Sequence, residues 1–150
     1  MLRKLVETWP TWMTLPLRVA LGAVFIGHGA QKVFGMWGGP GLSKFSGGDA
    51  PYSWMQPGWL WLGAAAFAEL VGGVLVLTGL LTRVGALLIL PVMLVAVFGV
   101  HWGSFFMSNR GVEYALSLLA MALALLIAGG GRASFDETLS GRRGGGGRRR

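Results

Sequence analysis

Five ionisable side chains lie in or beside strongly apolar stretches of the chain: His28, Lys32, Glu69, His101 and Glu113. Ionisable groups in a membrane-spanning segment are costly, so they usually face protein or a water-filled cavity. Histidine and lysine can donate hydrogen bonds to a ligand oxygen, and a carboxylate can relay protons. We therefore predict that these five side chains form a polar pocket or a proton relay.

The first apolar stretch is predicted to be the helix that carries the site. Because a helix turns about 100° per residue, one stripe should contain Arg18, Gly22, Phe25, His28 and Lys32. Arg18 lies deep in the predicted membrane span, in its cytoplasmic half. We expect its long side chain to extend to the cytoplasmic surface. We interpret Arg18 and Arg83 as structural polar residues.

Glu69 lies near the middle of a second apolar stretch, with small residues at helical spacing on both sides. Small residues allow helices to approach closely in lipid, so Glu69 is predicted to point into the bundle. A nearby cation would stabilise its carboxylate, and we predict a Lys32–Glu69 or a His28–Glu69 contact. A buried pair of this kind could also serve only to determine which helices pack together.

The composition is that of a membrane protein. Of 150 residues, 53% are hydrophobic and only 13% are charged, and the mean hydropathy is +0.60. Soluble domains carry about 25% charged residues. The formal net charge of +7 comes largely from arginines near the C-terminus. Such a tail is more typical of a cytoplasmic retention signal or an anionic-lipid contact than of nucleic-acid binding.

The chain has no cysteine and two histidines. It therefore cannot itself hold a disulfide, a thiolate zinc site or a cysteine-ligated iron–sulfur cluster. We predict no metal site and no intrinsic cofactor. A quinone head group is the ligand that the polar pocket would suit, whereas a haem between His28 and His101 is disfavoured because two histidines are an unspecific signal.

The hydropathy pattern predicts an all-α fold, an integral membrane four-helix bundle with both termini cytoplasmic. The spans are expected at about residues 15–34, 59–81, 84–100 and 112–128. Residues 35–58 are rich in Gly, Pro and Trp and are predicted to form a folded outer loop with aromatic anchors. In the last span, a packing stripe is predicted to run through Glu113, Ser117, Ala120 and Ala124.

The ends of the chain complete this domain division. Residues 1–14 are predicted to be a cytoplasmic lead, residues 15–131 the membrane domain, and residues 132–150 a basic, mostly disordered tail. Ser134 and Glu137 have the spacing of a capping box, which predicts a short helix there. Positive charge at the N-terminus, at Arg83 and in the tail predicts that both termini are cytoplasmic. A cleaved signal peptide over residues 19–27 is the competing interpretation, and the absence of a clear small-residue cleavage site disfavours it.

Three stretches resemble the DoxX family of small bacterial membrane proteins: RVALGAVFIGHGAQKVFG, AELVGGVLVLTGLLTRVGALLIL and NRGVEYALSLLAMALALLIAGGGRASFD. The resemblance covers about residues 15–136. The residues that carry it are Arg18, Gly22, Gly29, Lys32, Glu69, Gly72, Gly73, those from Gly79 to Arg83, Gly131, Ser134 and Asp136. It implies a four-helix protein of the bacterial cytoplasmic (inner) membrane. It also implies a link to quinone-dependent oxidation of sulfur compounds or to membrane oxidoreductase complexes, which are associated with some relatives.

Three functions are consistent with the sequence. The leading hypothesis is a membrane subunit of a redox assembly with a quinone-accessible or proton-accessible pocket, in contact with lipid and with other subunits or a second copy. The alternative is a non-catalytic accessory subunit that stabilises a larger membrane complex. A carrier of small solutes or lipids is disfavoured, because the chain shows no inverted repeat and no broken helix pair.

Overall fold

The computed structural model describes residues 6–141, which form helices and turns without a β-strand. The four long helices are α1 (Thr14–Phe34), α3 (Gly58–Thr78), α4 (Thr82–Val95) and α5 (Glu113–Ala128). A π-helical segment, Ala96–Val100, extends α4. The short helices are α2 (Gly41–Ser46) and α6 (Phe135–Gly141). In the described chain α1 packs on α3, α3 on α4, α4 on α5, and α5 returns to α1.

Neighbouring long helices alternate in direction, so the fold has two distinct ends. The terminal end contains the start of α1, the α3–α4 turn and the end of α5. The loop end contains residues 35–57 and 101–112. The predicted spans coincide with the long helices, except that α3 ends at Thr78. It ends there because Gly79 adopts a left-handed conformation (φ 71°) and donates its N–H to the carbonyls of Leu75 and Val76.

Length and apolarity single out several of these helices as able to cross a bilayer. Gly58–Thr78 and Thr82–Val100 each qualify alone, with mean hydropathy of 2.0 and 2.3. Thr14–Phe34 qualifies together with Met36–Ser46, which is bent 96° away from it. The fourth helix is apolar but has only 16 residues, about 24 Å of helix against a hydrocarbon core of about 30 Å. The chain is therefore an all-helical protein with two to three candidate spans in its described part.

The buried face of α5 differs from the predicted one. Ser117 and Ala120 are exposed, whereas Ala115, Leu118 and Ala122 are buried. The buried face mixes alanine and leucine, and Leu116 and Leu123 are exposed. Ser117 also satisfies its hydroxyl within its own helix, at the Glu113 carbonyl. The predicted stripe was therefore wrong.

Residues 35–58 are folded against the helices. A single 3₁₀ turn, Met36–Gly38, leads into α2. Further along, Tyr52 stacks on Trp54, and Trp54 meets Trp61 of α3 edge to face. Met55 is buried among them. This segment closes the loop end over α1 and α3.

In the α1–α3 contact the two helix backbones approach closely, and glycines make this possible. A Cβ at Gly29 would lie 2.6 Å from the backbone N and Cα of Leu70. Gly22 lies similarly against Leu77, and Gly73 against Ile26. Close backbone approach through small residues is a common way for helices to associate in lipid, where apolar surfaces gain little from mutual burial.

Gly29→Ala is expected to destabilise the protein, whereas Gly27→Ala is expected to be neutral or stabilising. Both substitutions raise helix propensity by up to about 1 kcal/mol, and a Cβ at Gly27 would have no neighbour within 4 Å. At Gly29 the added methyl must separate α1 from α3, at a cost of about 1–3 kcal/mol. Thermal unfolding of both variants in one detergent measures the difference, and equal midpoints would contradict the contact.

The chain beyond α5 is part of the same packed body as far as it is described. The predicted capping box forms at the start of α6, where Ser134 Oγ accepts from Glu137 N at 3.1 Å and Glu137 Oε2 accepts from Ala133 N at 3.2 Å. Asp136 N also donates to the Gly79 carbonyl at 2.9 Å, which joins this segment to the α3–α4 turn. The predicted lead and tail extend to residues 1–5 and 142–150, which lie outside the described residues.

Candidate functional site

An ion pair between α1 and α3 is the central polar feature of the loop half. Lys32 Nζ donates a hydrogen bond to Glu69 Oε1. The Glu69 side chain is only 3% exposed, and its second oxygen, Oε2, is buried without a hydrogen-bond partner among the described residues. The Lys32 ammonium also lies 5.0 Å from the ring centre of Phe45 in α2, a favourable cation–π distance.

The glycine contact explains why these two side chains meet. With Gly29 and Gly73 in the interface, the α1 and α3 backbones approach closely enough for Lys32 and Glu69 to bridge them. The prediction that Glu69 points into the bundle is confirmed, and so is the Lys32–Glu69 contact. The alternative contact, His28–Glu69, is not formed.

His28 lies outside the buried stripe of α1, although it is only one helical turn from Lys32. The buried stripe of α1 runs through Arg18, Gly22, Phe25 and Gly29, whereas His28 is exposed. At 100° per residue, His28 is rotated about 80° from Arg18 around the helix axis. The predicted stripe was therefore wrong at this position. His28 instead lines an open groove with the following residues: Ala23, Val24, Gly27, Gln31, Trp37 and Tyr114.

His101 and Glu113 hold the second loop of the loop end in place. The His101 Nδ1 lies 2.9 Å from the Arg110 carbonyl oxygen. Glu113 Oε1 accepts a hydrogen bond from the Met107 backbone N–H at 2.6 Å. Neither side chain forms a hydrogen bond or ion pair with Lys32, Glu69 or His28 in residues 6–141. The structure thus places the five predicted site residues in three groups at the loop end.

Arg18 is buried at the terminal end, where it binds carbonyls from two other segments. Its guanidinium is part of a side chain that is 2% exposed. Nε and Nη2 donate to the carbonyls of Val76 and Leu77, at 3.0 and 2.9 Å. Nη1 donates to those of Gly130 and Ala133, both at 3.1 Å. The expectation that Arg18 extends to the surface was wrong, because the carbonyls at the C-terminus of α3, the negative end of the helix dipole, attract the cation inward.

Asp136 and Thr14 complete this terminal network, and their roles were not predicted from the residues. Asp136 is 1% exposed. Its carboxylate accepts hydrogen bonds from the backbone N–H groups of Leu81 and Thr82, at 2.7 and 2.8 Å, and so caps α4. The Thr14 hydroxyl donates to the Gly130 carbonyl at 2.8 Å. The resemblance had singled out Asp136, but nothing in its spacing indicates that it caps a helix more than fifty residues earlier in the chain.

Arg83 lies at the same end. Its Nη2 donates to the Ile127 carbonyl in the last turn of α5, at 2.9 Å. A cation at a helix C-terminus interacts favourably with the helix dipole. The lead contributes as well, since Trp9 N donates to the Ala128 carbonyl. The terminal end is thus a network that joins α1, α3, α4 and α5. Among the described residues, buried side-chain atoms without a hydrogen-bond partner occur at both ends, Thr82 Oγ1 and Arg83 Nε here and Glu69 Oε2 at the loop end.

Comparison with known proteins identifies the family. The model of the DoxX family matches residues 13–102, which is more than half of the chain. The chain belongs to the DoxX family. It is also 37% identical over 112 residues to a Bacillus subtilis (strain 168) protein named "Putative oxidoreductase CatD", an alignment that covers 75% of this chain and 77% of that protein. No solved structure matches the chain.

This membership makes the chain a membrane protein with apolar, bilayer-length helices. The matched region includes α1, α3 and α4 with both partners of the Lys32–Glu69 pair. It also includes Arg18 and the α3 carbonyls that Arg18 binds. The family resemblance drawn from the sequence is confirmed.

Proposed function

We propose that this DoxX protein is a membrane subunit of a quinone-linked redox assembly, in which Glu69 carries protons at the loop end. The observation that carries the proposal is the free Glu69 Oε2, a buried oxygen without a hydrogen-bond partner among residues 6–141. A carboxylate that is held in place by one oxygen and free at the other can accept and release a proton. Membership in the family and the name of the relative support the redox link.

The roles that we propose differ from those that the residues first suggested. Reduction of a quinone to a quinol takes up two electrons and two protons. Lys32 is engaged by Glu69 and Phe45, so it holds the carboxylate in place and keeps its charge compensated. Glu113 is engaged by the Met107 N–H, which leaves Glu69 as the proton carrier. The electrons are supplied by a partner oxidoreductase subunit.

The proposed arrangement in the membrane has four spans, with the terminal end in the cytoplasm of a bacterial cell and the loop end on the outer side. Arg83 and Arg132 lie at the terminal end, and the sequence adds Arg3, Lys4 and the tail arginines to that side. The short α5 fits because membranes thin locally around short spans. Exposed Trp9 and Trp12 at the terminal end, and Trp37, Trp54 and Trp102 at the loop end, suit the two membrane interfaces.

The test begins with purification of the full-length protein in native lipid particles. Mass spectrometry of co-purified proteins and extracted lipids is expected to find an oxidoreductase partner and a quinone. The preparation is then assayed for reduction of decylubiquinone with the partner's electron donor. Glu69→Gln keeps the shape of the side chain but removes its acid–base function, and the rate is expected to fall on the order of 100-fold.

Asp49→Asn is the matched control, because Asp49 is an exposed carboxylate of the 35–58 loop. Its rate should equal that of the wild type. An unchanged rate in Glu69→Gln, at equal expression, would remove the proton-carrying role. A stable non-redox partner and no quinone would instead favour the accessory-subunit function, with the Lys32–Glu69 pair serving only to pack α1 on α3.

A further inference from the structure

An open groove of about 250 Å³ lies at the loop end beside α1, and it is separate from the Lys32–Glu69 pair. Its lining includes three small or apolar residues of α1: Ala23, Val24 and Gly27. The other four lining residues have polar atoms and are called the rim: His28, Gln31, Trp37 and Tyr114. We propose that this groove binds the head ring of an uncharged, membrane-dissolved quinone, an inference that rests on the proposed function.

The rim supplies hydrogen-bonding groups that are not used within the described chain. The imidazole, the carboxamide, the indole N–H and the phenol are each able to donate to a carbonyl oxygen. None of the four side chains forms a hydrogen bond with another residue in the described range 6–141. Polar groups at the edge of an apolar pocket usually orient a ligand, and here they converge from α1, the 3₁₀ turn and α5.

The shape and charge of the groove favour a flat, neutral ring over a phospholipid head group. Its seven lining residues include no lysine, arginine, aspartate or glutamate, so a phosphate would find no cation there. Trp37 and Tyr114 offer aromatic faces against which a ring can stack. A volume of 250 Å³ is just below the usual range for ligand pockets. It suits a head ring whose isoprenoid tail remains in the surrounding lipid.

The backbone around Trp37 is built to hold the indole in this position. Trp37 has a left-handed conformation (φ 52°), which bulky residues rarely adopt. Gly38 directly after it and Gly35 two residues before it also have positive φ values, of 76° and 70°. These three positions turn the chain sharply at the end of α1, so that Trp37 lines the groove together with His28 of that helix.

The binding test uses the purified full-length chain in lipid nanodiscs and decylubiquinone as the probe. Saturable binding above that of empty nanodiscs is expected. Gln31→Leu and Tyr114→Phe each remove one hydrogen-bonding group with little change of shape, and each is expected to weaken binding on the order of 10-fold. Tyr52→Phe is the control, because Tyr52 stacks on Trp54 outside the groove. Thermal unfolding confirms that all three variants are folded.

Photolabelling locates the ligand independently. An azidoquinone is expected to label peptides that contain residues 23–37 or Tyr114, and excess decylubiquinone should suppress the label. Three outcomes would contradict quinone binding in the groove. They are saturable binding of decylubiquinone that is equally strong in the groove variants, the absence of saturable binding, and a phospholipid that occupies the groove and is not displaced by decylubiquinone.

The outcomes separate this inference from the proposed function. If the groove variants bind normally but the assembly still reduces decylubiquinone in a Glu69-dependent way, the quinone binds elsewhere and the proposed function stands. If the groove binds decylubiquinone but the purified assembly lacks a redox partner and quinone reduction, the groove stands as a binding site and the redox function fails.

Discussion

Arg18→Met is expected to lower the free energy of unfolding by at least about 3 kcal/mol, because hydrogen bonds to a charged group each contribute about 1.5–3 kcal/mol and are only partly additive. The Arg18 guanidinium donates to four backbone carbonyls, those of Val76, Leu77, Gly130 and Ala133. Methionine has a similar length but no donor, so all four carbonyls would lose their hydrogen bonds from the guanidinium. Equilibrium unfolding in mixed detergent micelles measures this loss.

Two variants make the Arg18 prediction specific. Arg18→Lys keeps the charge, but a single ammonium cannot reproduce the planar fork that reaches both segments. The free energy of unfolding of Arg18→Lys should lie between those of the wild type and Arg18→Met. Arg132→Met removes an exposed arginine at the same end and should change stability by no more than about 0.5 kcal/mol. If Arg18→Met and Arg132→Met behaved alike, the carbonyl network would not contribute to stability.

Lys32→Met is expected to lower the free energy of unfolding by about 3–5 kcal/mol, because it leaves the Glu69 carboxylate buried without its cation. The Glu69 side chain is 3% exposed, and no other cation pairs with it in residues 6–141. Lys44→Met removes an exposed lysine of α2 and is expected to be nearly neutral. The same unfolding assay compares the two, and a nearly neutral Lys32→Met would contradict a compensating role for Lys32.

The double variant Lys32→Met/Glu69→Met distinguishes a structural role of the ion pair from a role of Glu69 in quinone reduction. Replacement of a whole buried ion pair by apolar residues of similar size is often neutral or stabilising by about 1–4 kcal/mol. The double variant should therefore recover the stability that Lys32→Met loses. It should not recover quinone reduction, since Glu69 is absent. If both stability and activity returned, the pair would serve only to pack α1 against α3.

The long helices could be predicted from the sequence because their signals are local. Continuous apolar stretches, a glycine after α1 and after α3, and the Ser134–Glu137 spacing determine where helices begin and end. The small residues around Glu69 predicted its inward direction for the same reason. The motifs that resemble the DoxX family also lie within these local patterns, so they can be recognised from the sequence alone.

The grouping of the polar residues could not be predicted in the same way. His101 and Glu113 were expected beside Lys32, but nearby loop backbone groups, the Arg110 carbonyl and the Met107 N–H, engage them instead. Backbone groups in a loop need partners, and they compete for any polar side chain within reach. The sequence does not show which backbone group will form the hydrogen bond with a given side chain.

The sequence by itself determined that this is a helical membrane protein of the DoxX family, and that Glu69 turns inward toward a cation on α1. These properties follow from composition, short-range periodicity and motif spacing, which need no knowledge of how distant segments meet. Only the tertiary structure decided that Arg18 binds the end of α3, that Asp136 caps α4, and that His28 lines a groove to which Lys32 does not contribute. Those contacts depend on the rotation and separation of packed helices, and a shift of one residue along a helix turns a side chain by about 100°.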